Sequence, residues 1–210
     1  MSMPSLSADA PVDVSDVTGL VLAGGQGSRM DHADKGLVLF RGKPMVLHAL
    51  ERLAPHACRL LISANRNAGV YAGFGCEVLP DLNDTFSGPL AGLQAALRKC
   101  ETDWLVMVPC DVPLFPSELV PMMKRAAVAA DADVAVACAQ GERQAVFMLI
   151  KRSAAQELDD YLQTQRRSVL GFIEYLFGKN RKLVEVPFSD ANHAFANINT
   201  LAQLNELDAN

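Results

Sequence analysis

The sequence predicts an α/β fold, with one domain built on a mostly parallel β-sheet and helices on both faces. Three observations lead there. Short β-rich runs alternate with helical patterns along the chain, as they do when helical crossovers join parallel strands. Residues 104–108 (WLVMV) form an unbroken apolar run that reads as an interior strand. The 210 residues, half of them hydrophobic, suffice for one core of this type, and no linker or internal repeat follows residue 16.

Residues 17–23 (VTGLVLA) form a buried-strand candidate that runs directly into a glycine-rich stretch. Pro44 can open a helix at its first position, and Val46, Leu47, Leu50, Leu53 and Ala54 recur at helical spacing until Pro55 stops it. Residues 59–63 (RLLIS) and 77–79 (EVL) are further short strands. Pro89 opens a second helix with Leu90, Leu93 and Leu97 on one face, and the interior strand ends at Pro109-Cys110-Asp111. Residues 117–130 predict a helix, although Pro121 removes one early backbone hydrogen bond. Residues 133–138 and 145–151 predict strands flanking a turn at Gln140-Gly141. Residues 153–162 and 168–177 read as helices with serine caps, and 182–186 as a strand. Thr200-Leu201-Ala202-Gln203 is a capping box that opens the last helix.

A formal charge of -5 argues against a general nucleic-acid binder, which carries a basic footprint. No apolar run approaches the roughly twenty residues that span a bilayer, so no membrane segment is expected. Residues 1–16 are rich in Ser, Ala, Pro and Asp and lack both a basic start and an apolar stretch. They read as a disordered leader, not a secretory signal, which leaves residues 17–210 as the domain. The five cysteines are scattered, with no C-x-x-C pair, and read as small hydrophobes in a reducing cytoplasm.

The chemistry concentrates in two places. Leu22-Ala23-Gly24-Gly25-Gln26-Gly27-Ser28-Arg29-Met30 leaves a strand where glycines permit a sharp turn and let backbone amides approach a phosphate. It is not a P-loop, because no Gly-Lys-Ser/Thr follows at the required spacing. It is not a dinucleotide fingerprint either, because residues 30–36 (MDHADKG) are polar and open no helix. Taken alone, the glycines also fit a tight strand-exit turn without a ligand. Arg29 and Lys35 add a planar donor fork and a mobile point charge that together can neutralise a triphosphate and a pyrophosphate leaving group. Either cation alone reads equally as a solvated surface charge. Asp111 lies at the carboxyl end of the interior strand, between Pro109 and Pro113, where a hard oxygen ligand suits Mg²⁺; a turn-shaping aspartate is the other reading. Parallel strands bring their carboxyl ends to one edge, so Asp111 and Asp81 are expected to face the loop 24–35.

The ordered set of these stretches resembles the molybdenum cofactor guanylyltransferase family. It comprises Leu22-Ala23-Gly24-Gly25-x-x-x-Arg29-Met30-x-x-x-Asp34-Lys35-Gly36, Ala64-Asn65-Arg66, Asp81, Gly88-Pro89-Leu90-Ala91-Gly92, Pro109-Cys110-Asp111-x-Pro113 and Phe195-x-Asn197-x-Asn199-Thr200. The resemblance runs from about residue 17 to the end. It implies a nucleotidyltransferase (Rossmann-like) fold and Mg²⁺-dependent transfer of GMP from GTP to molybdenum-loaded molybdopterin, with release of pyrophosphate. It further implies that Leu22, Ala23, Gly24, Gly25, Lys35, Ser63, Asp81 and Asp111 serve the nucleotide and that Asp111 holds the metal. Arg29, Gly88, Gly92, Arg167, Asn197 and Asn199 would serve the acceptor, with Arg29, Lys35 and Asp111 carrying the chemistry. The implied partners are GTP, the loaded pterin, cofactor-delivery proteins and client molybdoenzymes. Asp31-His32 stand where the family often has two glycines, Ser63 where asparagine is usual, and Val146 where proline is common. Three alternatives stay open at this point: a cytidylyltransferase acting on the same pterin, a sugar-phosphate nucleotidyltransferase, and a non-catalytic nucleotide-binding module.

Overall fold

A computed structural model of the chain describes residues 13, 15–23, 34–82, 88–189, 194–198, 200 and 203. Its centre is a seven-stranded sheet of β1 (Val17–Leu22), β4 (Arg59–Ser63), β5 (Glu77–Leu79), β6 (Trp104–Pro109), β7 (Val134–Ala139), β8 (Glu142–Lys151) and β9 (Leu183–Phe188), in the order β5-β4-β1-β6-β8-β7-β9. The pairs β1–β4, β1–β6, β4–β5 and β7–β9 are parallel, and only β8 runs against its neighbours, β6 and β7. The mostly parallel expectation therefore holds.

Helices cover both faces because the strands are apolar on both. In β6, Trp104, Val106 and Val108 join the cluster under α1 (Met45–Leu53), α2 (Ala68–Ala72) and α4 (Leu119–Ala129). Leu105 and Met107 point the other way, under α3 (Pro89–Lys99), α5 (Ala155–Gln163) and α6 (Val169–Gly178). This period of two, with both sides buried, is what an interior strand of an α/β sheet requires. Among the described residues no helix is long and apolar enough to cross a membrane.

The observed elements match the expected ones to within about three residues, the usual scatter of element ends. Pro121 is the third residue of α4, inside the first turn, where a missing N–H has no helical carbonyl to lose. Ser168 caps α6 as expected, its hydroxyl accepting from Gly171 N at 3.2 Å. Ser153 does not cap α5. A 3-10 turn, Arg152–Ala154, precedes that helix, and the Ser153 hydroxyl instead accepts from Arg181 at 3.1 Å. Gln203 N donates to Thr200 Oγ1 at 3.2 Å, the bond expected of the capping box, and the helix beyond it lies outside the described residues, as does the leader apart from residues 13, 15 and 16. Two pieces had no signal in the sequence pattern: α2, and a ribbon of β2 (Leu39–Phe40) and β3 (Lys43–Pro44) turned by Arg41 and Gly42 at φ 50° and 73°.

One buried ion pair fastens α4 to the start of β1. The Lys124 ammonium, 8% exposed, donates to Asp16, 32% exposed, and lies 5.0 Å from the centre of the Trp104 ring. Removing Asp16 strands a charge that water hardly reaches, whereas removing Lys124 leaves a carboxylate that water reaches in part, its side chain 32% exposed although Oδ1 is buried without a partner among the described residues. Asp16→Ala should therefore lose about 3 kcal/mol and Lys124→Met less than about half of that. Urea denaturation of the two variants checks the order, and equal losses would contradict this account.

Candidate active site

The site is set by strand register. Leu22 stands opposite both Ser63 and Pro109, and Ser63 opposite Leu79, so β1, β4, β5 and β6 all end at one level. Past that level the ladder continues by single bonds: Ala23 N to Ser63 O at 2.9 Å, Ala64 N to Leu79 O at 3.0 Å and Cys110 N to Leu22 O at 3.0 Å. A cavity of about 550 Å³ opens over this edge. Its walls include Leu22, Ala23, Lys35, Ser63, Asp81, Gly88, Asp111 and Asn197, all anticipated from the sequence, together with Asn65, Pro89, Cys110 and Val146.

Lys35 and Asp111 meet here. Lys35 sits on a 3-10 turn, Lys35–Leu37, and its Nζ lies 3.2 Å from Asp111 Oδ2, each side chain 19% exposed. Two residues 76 positions apart in the chain thus form a partly shielded pair of opposite charges at the carboxyl edge of the sheet, where α/β sheets bind ligands. Beside Asp111, burial pushes the Cys110 thiol pKa up, and the nearby carboxylates of Asp111 and Asp34 push it further. Cys110 therefore stays a protonated wall residue and offers no nucleophile.

Asp81 is held by a reciprocal pair. Asn65 Nδ2 donates to Asp81 Oδ2 at 2.9 Å, and Asp81 N donates to Asn65 Oδ1 at 2.8 Å, which ties the segment after β4 to the segment after β5. Ser63 is buried at the end of β4, and Gly92, one turn into α3, makes room for it. A Cβ at Gly92 would collide with Ser63 Oγ and approach Leu22 Cδ2 to 2.9 Å. Gly92 thus shapes the floor beneath the cavity and is not part of its wall. Gly88, at φ 61°, turns the chain into α3 in a conformation that glycine favours.

The far wall comes from the chain's C-terminal part. Phe195 stacks edge-on against Phe147 at 5.1 Å and against Phe188 at 5.7 Å, and Ile198 N donates to Asp111 O at 2.7 Å. Asn197 is held between these two anchors. Arg167 is not brought to the cavity wall; it lies in the turn between α5 and α6 and donates to Leu162 O at 2.9 Å and Arg166 O at 2.8 Å. Gly24, Gly25, Arg29, Asn199 and the Asp31-His32 departure lie outside the described residues.

Asp111 offers the cavity one partly exposed carboxylate, and Asp81 a second that Asn65 already engages. Among the described residues no group of three or more His, Cys, Asp or Glu side chains could cage a metal. That donor set fits a hard ion that needs one or two carboxylates and takes its other ligands from water and phosphate.

The comparisons agree with this geometry. The family model for the MobA-like NTP transferase domain matches residues 19–178. The chain is 44% identical to the molybdenum cofactor guanylyltransferase of Bordetella petrii, over 93% of this chain and 99% of that protein. It is 45% identical to the protein of that name from Cupriavidus metallidurans, over 90% and 93% of the two. The crystal structure of molybdopterin-guanine dinucleotide biosynthesis protein A from Archaeoglobus fulgidus superposes with a TM-score of 0.74 at 22% identity, covering 91% of this chain and 97% of that one, which shows the shared fold. With its sheet order, its cavity at the carboxyl edge and relatives at this identity along nearly its whole length, the chain belongs to the molybdenum cofactor guanylyltransferase family.

Proposed function

We propose that this chain transfers GMP from GTP to the terminal phosphate of molybdenum-loaded molybdopterin, releasing pyrophosphate and forming the guanine dinucleotide form of the cofactor. The observation that carries the reading is the Lys35–Asp111 pair, 3.2 Å apart in a nucleotide-sized cavity at the carboxyl edge of the sheet. The family membership supplies the substrates.

An oxygen of the acceptor's terminal phosphate attacks the α-phosphorus of GTP. A new P–O bond forms there, and the bond to the bridging oxygen of the β-phosphate breaks, its electron pair leaving with pyrophosphate. The nucleophile is already anionic, so no general base is needed, and the protein's task is in-line positioning and charge stabilisation. Backbone groups of Leu22, Ala23, Gly24 and Gly25 seat the nucleotide, aided by Ser63 and Asp81. Lys35 places its ammonium on the phosphates, while Arg29, Gly88, Asn197 and Asn199 face the acceptor, and Gly92 acts only through the floor that it shapes under Ser63 and Leu22. For Arg167 to join them, its bonds to Leu162 O and Arg166 O would have to be exchanged. Asp111 would hold Mg²⁺, which supplies positive charge to phosphate oxygens when bound. The work is done in the cytoplasm, with neither nucleic acid nor membrane as partner, and the product passes to delivery proteins and client molybdoenzymes. Residues 17–210 act as one catalytic domain behind the leader.

Base selectivity is the first test. Incubating the protein with each of the four triphosphates, Mg²⁺ and loaded molybdopterin, then weighing the product, should yield the guanine dinucleotide alone. Equal or better turnover with CTP would move the assignment to a cytidylyltransferase. Asp111→Asn keeps the shape but removes the charge, so transfer should fall steeply with thermal unfolding nearly unchanged. Parent-rate pyrophosphate release at limiting Mg²⁺ would remove Asp111 as the metal ligand. Lys35→Ala should weaken GTP in calorimetric titration and slow transfer by roughly 10²- to 10³-fold, the usual effect of losing one electrostatic donor. Arg29→Ala should spare GTP affinity and impair use of the acceptor. The opposite pattern would exchange the two roles.

A further inference from the structure

A buried phenol lies behind the Lys35 turn, and the chemistry proposed above does not use it. Tyr71, on α2, is 0% exposed and donates its hydroxyl to Asp34 Oδ1 at 2.5 Å. Asn67, which opens α2 at a left-handed φ of 54°, donates Nδ2 to Asp34 Oδ2 at 2.9 Å. Both oxygens of Asp34 are therefore engaged by one short helix. The backbone of Asp34 closes the next turn, its carbonyl accepting from Leu37 N at 2.9 Å. Gly36 lets the turn settle directly on the phenol, because a Cβ there would collide with Tyr71 Oη and come within 3.3 Å of Ala23 Cβ.

The sequence neighbour of Asp34 is Lys35. An aspartate beside a phosphate-handling cation is a hazard, since its carboxylate can compete with Asp111 and with phosphate for the same ammonium. Two neutral donors, one on each oxygen, hold the carboxylate on α2 and so weaken that competition without adding a rival positive charge. Burial raises the Tyr71 pKa, and the bond to Asp34 and that carboxylate's charge raise it further, so the phenol is a donor across the working pH range. A purely packing role would be met by phenylalanine, which would bring no buried hydroxyl that needs a partner.

We propose that Tyr71, with Asn67, is a positioning residue for Lys35: it holds the Asp34 carboxylate on α2 and so keeps the Lys35 ammonium aimed into the cavity. The proposal rests on the reading of Lys35 as the phosphate-contacting cation.

A double-mutant cycle tests it, with transfer rate and calorimetric GTP affinity as readouts and thermal unfolding to confirm that each protein folds. Tyr71→Phe should lower the transfer rate of the parent roughly tenfold, the effect of one lost hydrogen bond to a charged group. In the Lys35→Ala background the same change should alter the rate by less than about twofold, because the residue through which it acts is already gone. In an Asp34→Asn background its effect should also shrink, since no competing charge remains to be held. An equal loss in the parent and Lys35→Ala backgrounds would make Tyr71 merely structural and overturn the proposal, as would no loss in the parent. If Lys35→Ala itself left GTP affinity and rate unchanged, the Lys35 reading would fail first and the proposal with it. If Tyr71→Phe did not fold, Asn67→Ala through the same cycle decides, with the same outcomes counting for and against.

Discussion

Everything at the carboxyl edge depends on the common level at which four parallel strands end. Leu79, Ser63, Leu22 and Pro109 stand side by side in register, and one backbone bond past each junction keeps the departing chains close. A slip of one residue in β6 would invert the faces of Trp104 through Val108, exchanging the two apolar clusters, and would move Asp111 off the edge. The two-sided core therefore fixes not only the fold but also the 3.2 Å separation of Lys35 and Asp111. Burial of ordinary hydrophobes holds the charged pair where it is.

Much of this was legible in the sequence, for physical reasons that differ from element to element. The strand ending at Asp111 was readable because an unbroken apolar run followed by proline has few other interpretations. That Asp111 faces the loop 24–35 was expected from parallel topology, since parallel strands deliver their exits to one edge; its pairing with Lys35, on a turn well beyond the end of β1, is visible only in the structure. What the sequence hid was short or distant. Neither α2, five residues long, nor the two-residue strands of the ribbon can show a period. Asn65 lay in a recognised stretch, but its bond to Asp81 crosses two strand exits and leaves no mark in local pattern. Nothing in local pattern marks Tyr71, whose significance lies in a hydrogen bond to Asp34, 37 residues away in the chain. Arg167 shows the opposite limit, for a resemblance can name a residue without showing that its side chain is already engaged elsewhere.

Each wall of the cavity is held by a different kind of force. The Asn65–Asp81 wall is held by two directional hydrogen bonds, one between the side chains and one from the Asp81 backbone N–H to the Asn65 amide oxygen. The Asn197 wall is held by aromatic packing of Phe195 against Phe147 and Phe188, together with the bond from Ile198 N to Asp111 O. The floor is held by contact, with Gly92 giving Ser63 and Leu22 the space they fill. Changes in temperature, salt or pH will not loosen these walls together, because hydrophobic contact and polar bonding respond to them differently.

The reversal of β8 has a consequence for how the edge can change. A parallel crossover at that position would bring a loop and a helix terminus to the edge, the usual means by which backbone amides grip an anion. Here β7 returns through a two-residue hairpin, Gln140-Gly141, at φ 53° and 79°, and β8 enters with a register break between Val136 and Ala137 of its partner β7. On that flank the cavity is bounded by single side chains, Val146 from the irregular stretch of β8 and Asn197 from the returning segment. A side-chain wall is rewritten by point substitution, without any change in the strand register that carries Asp111. That flank can thus be reshaped one residue at a time while the rest of the edge stays as it is.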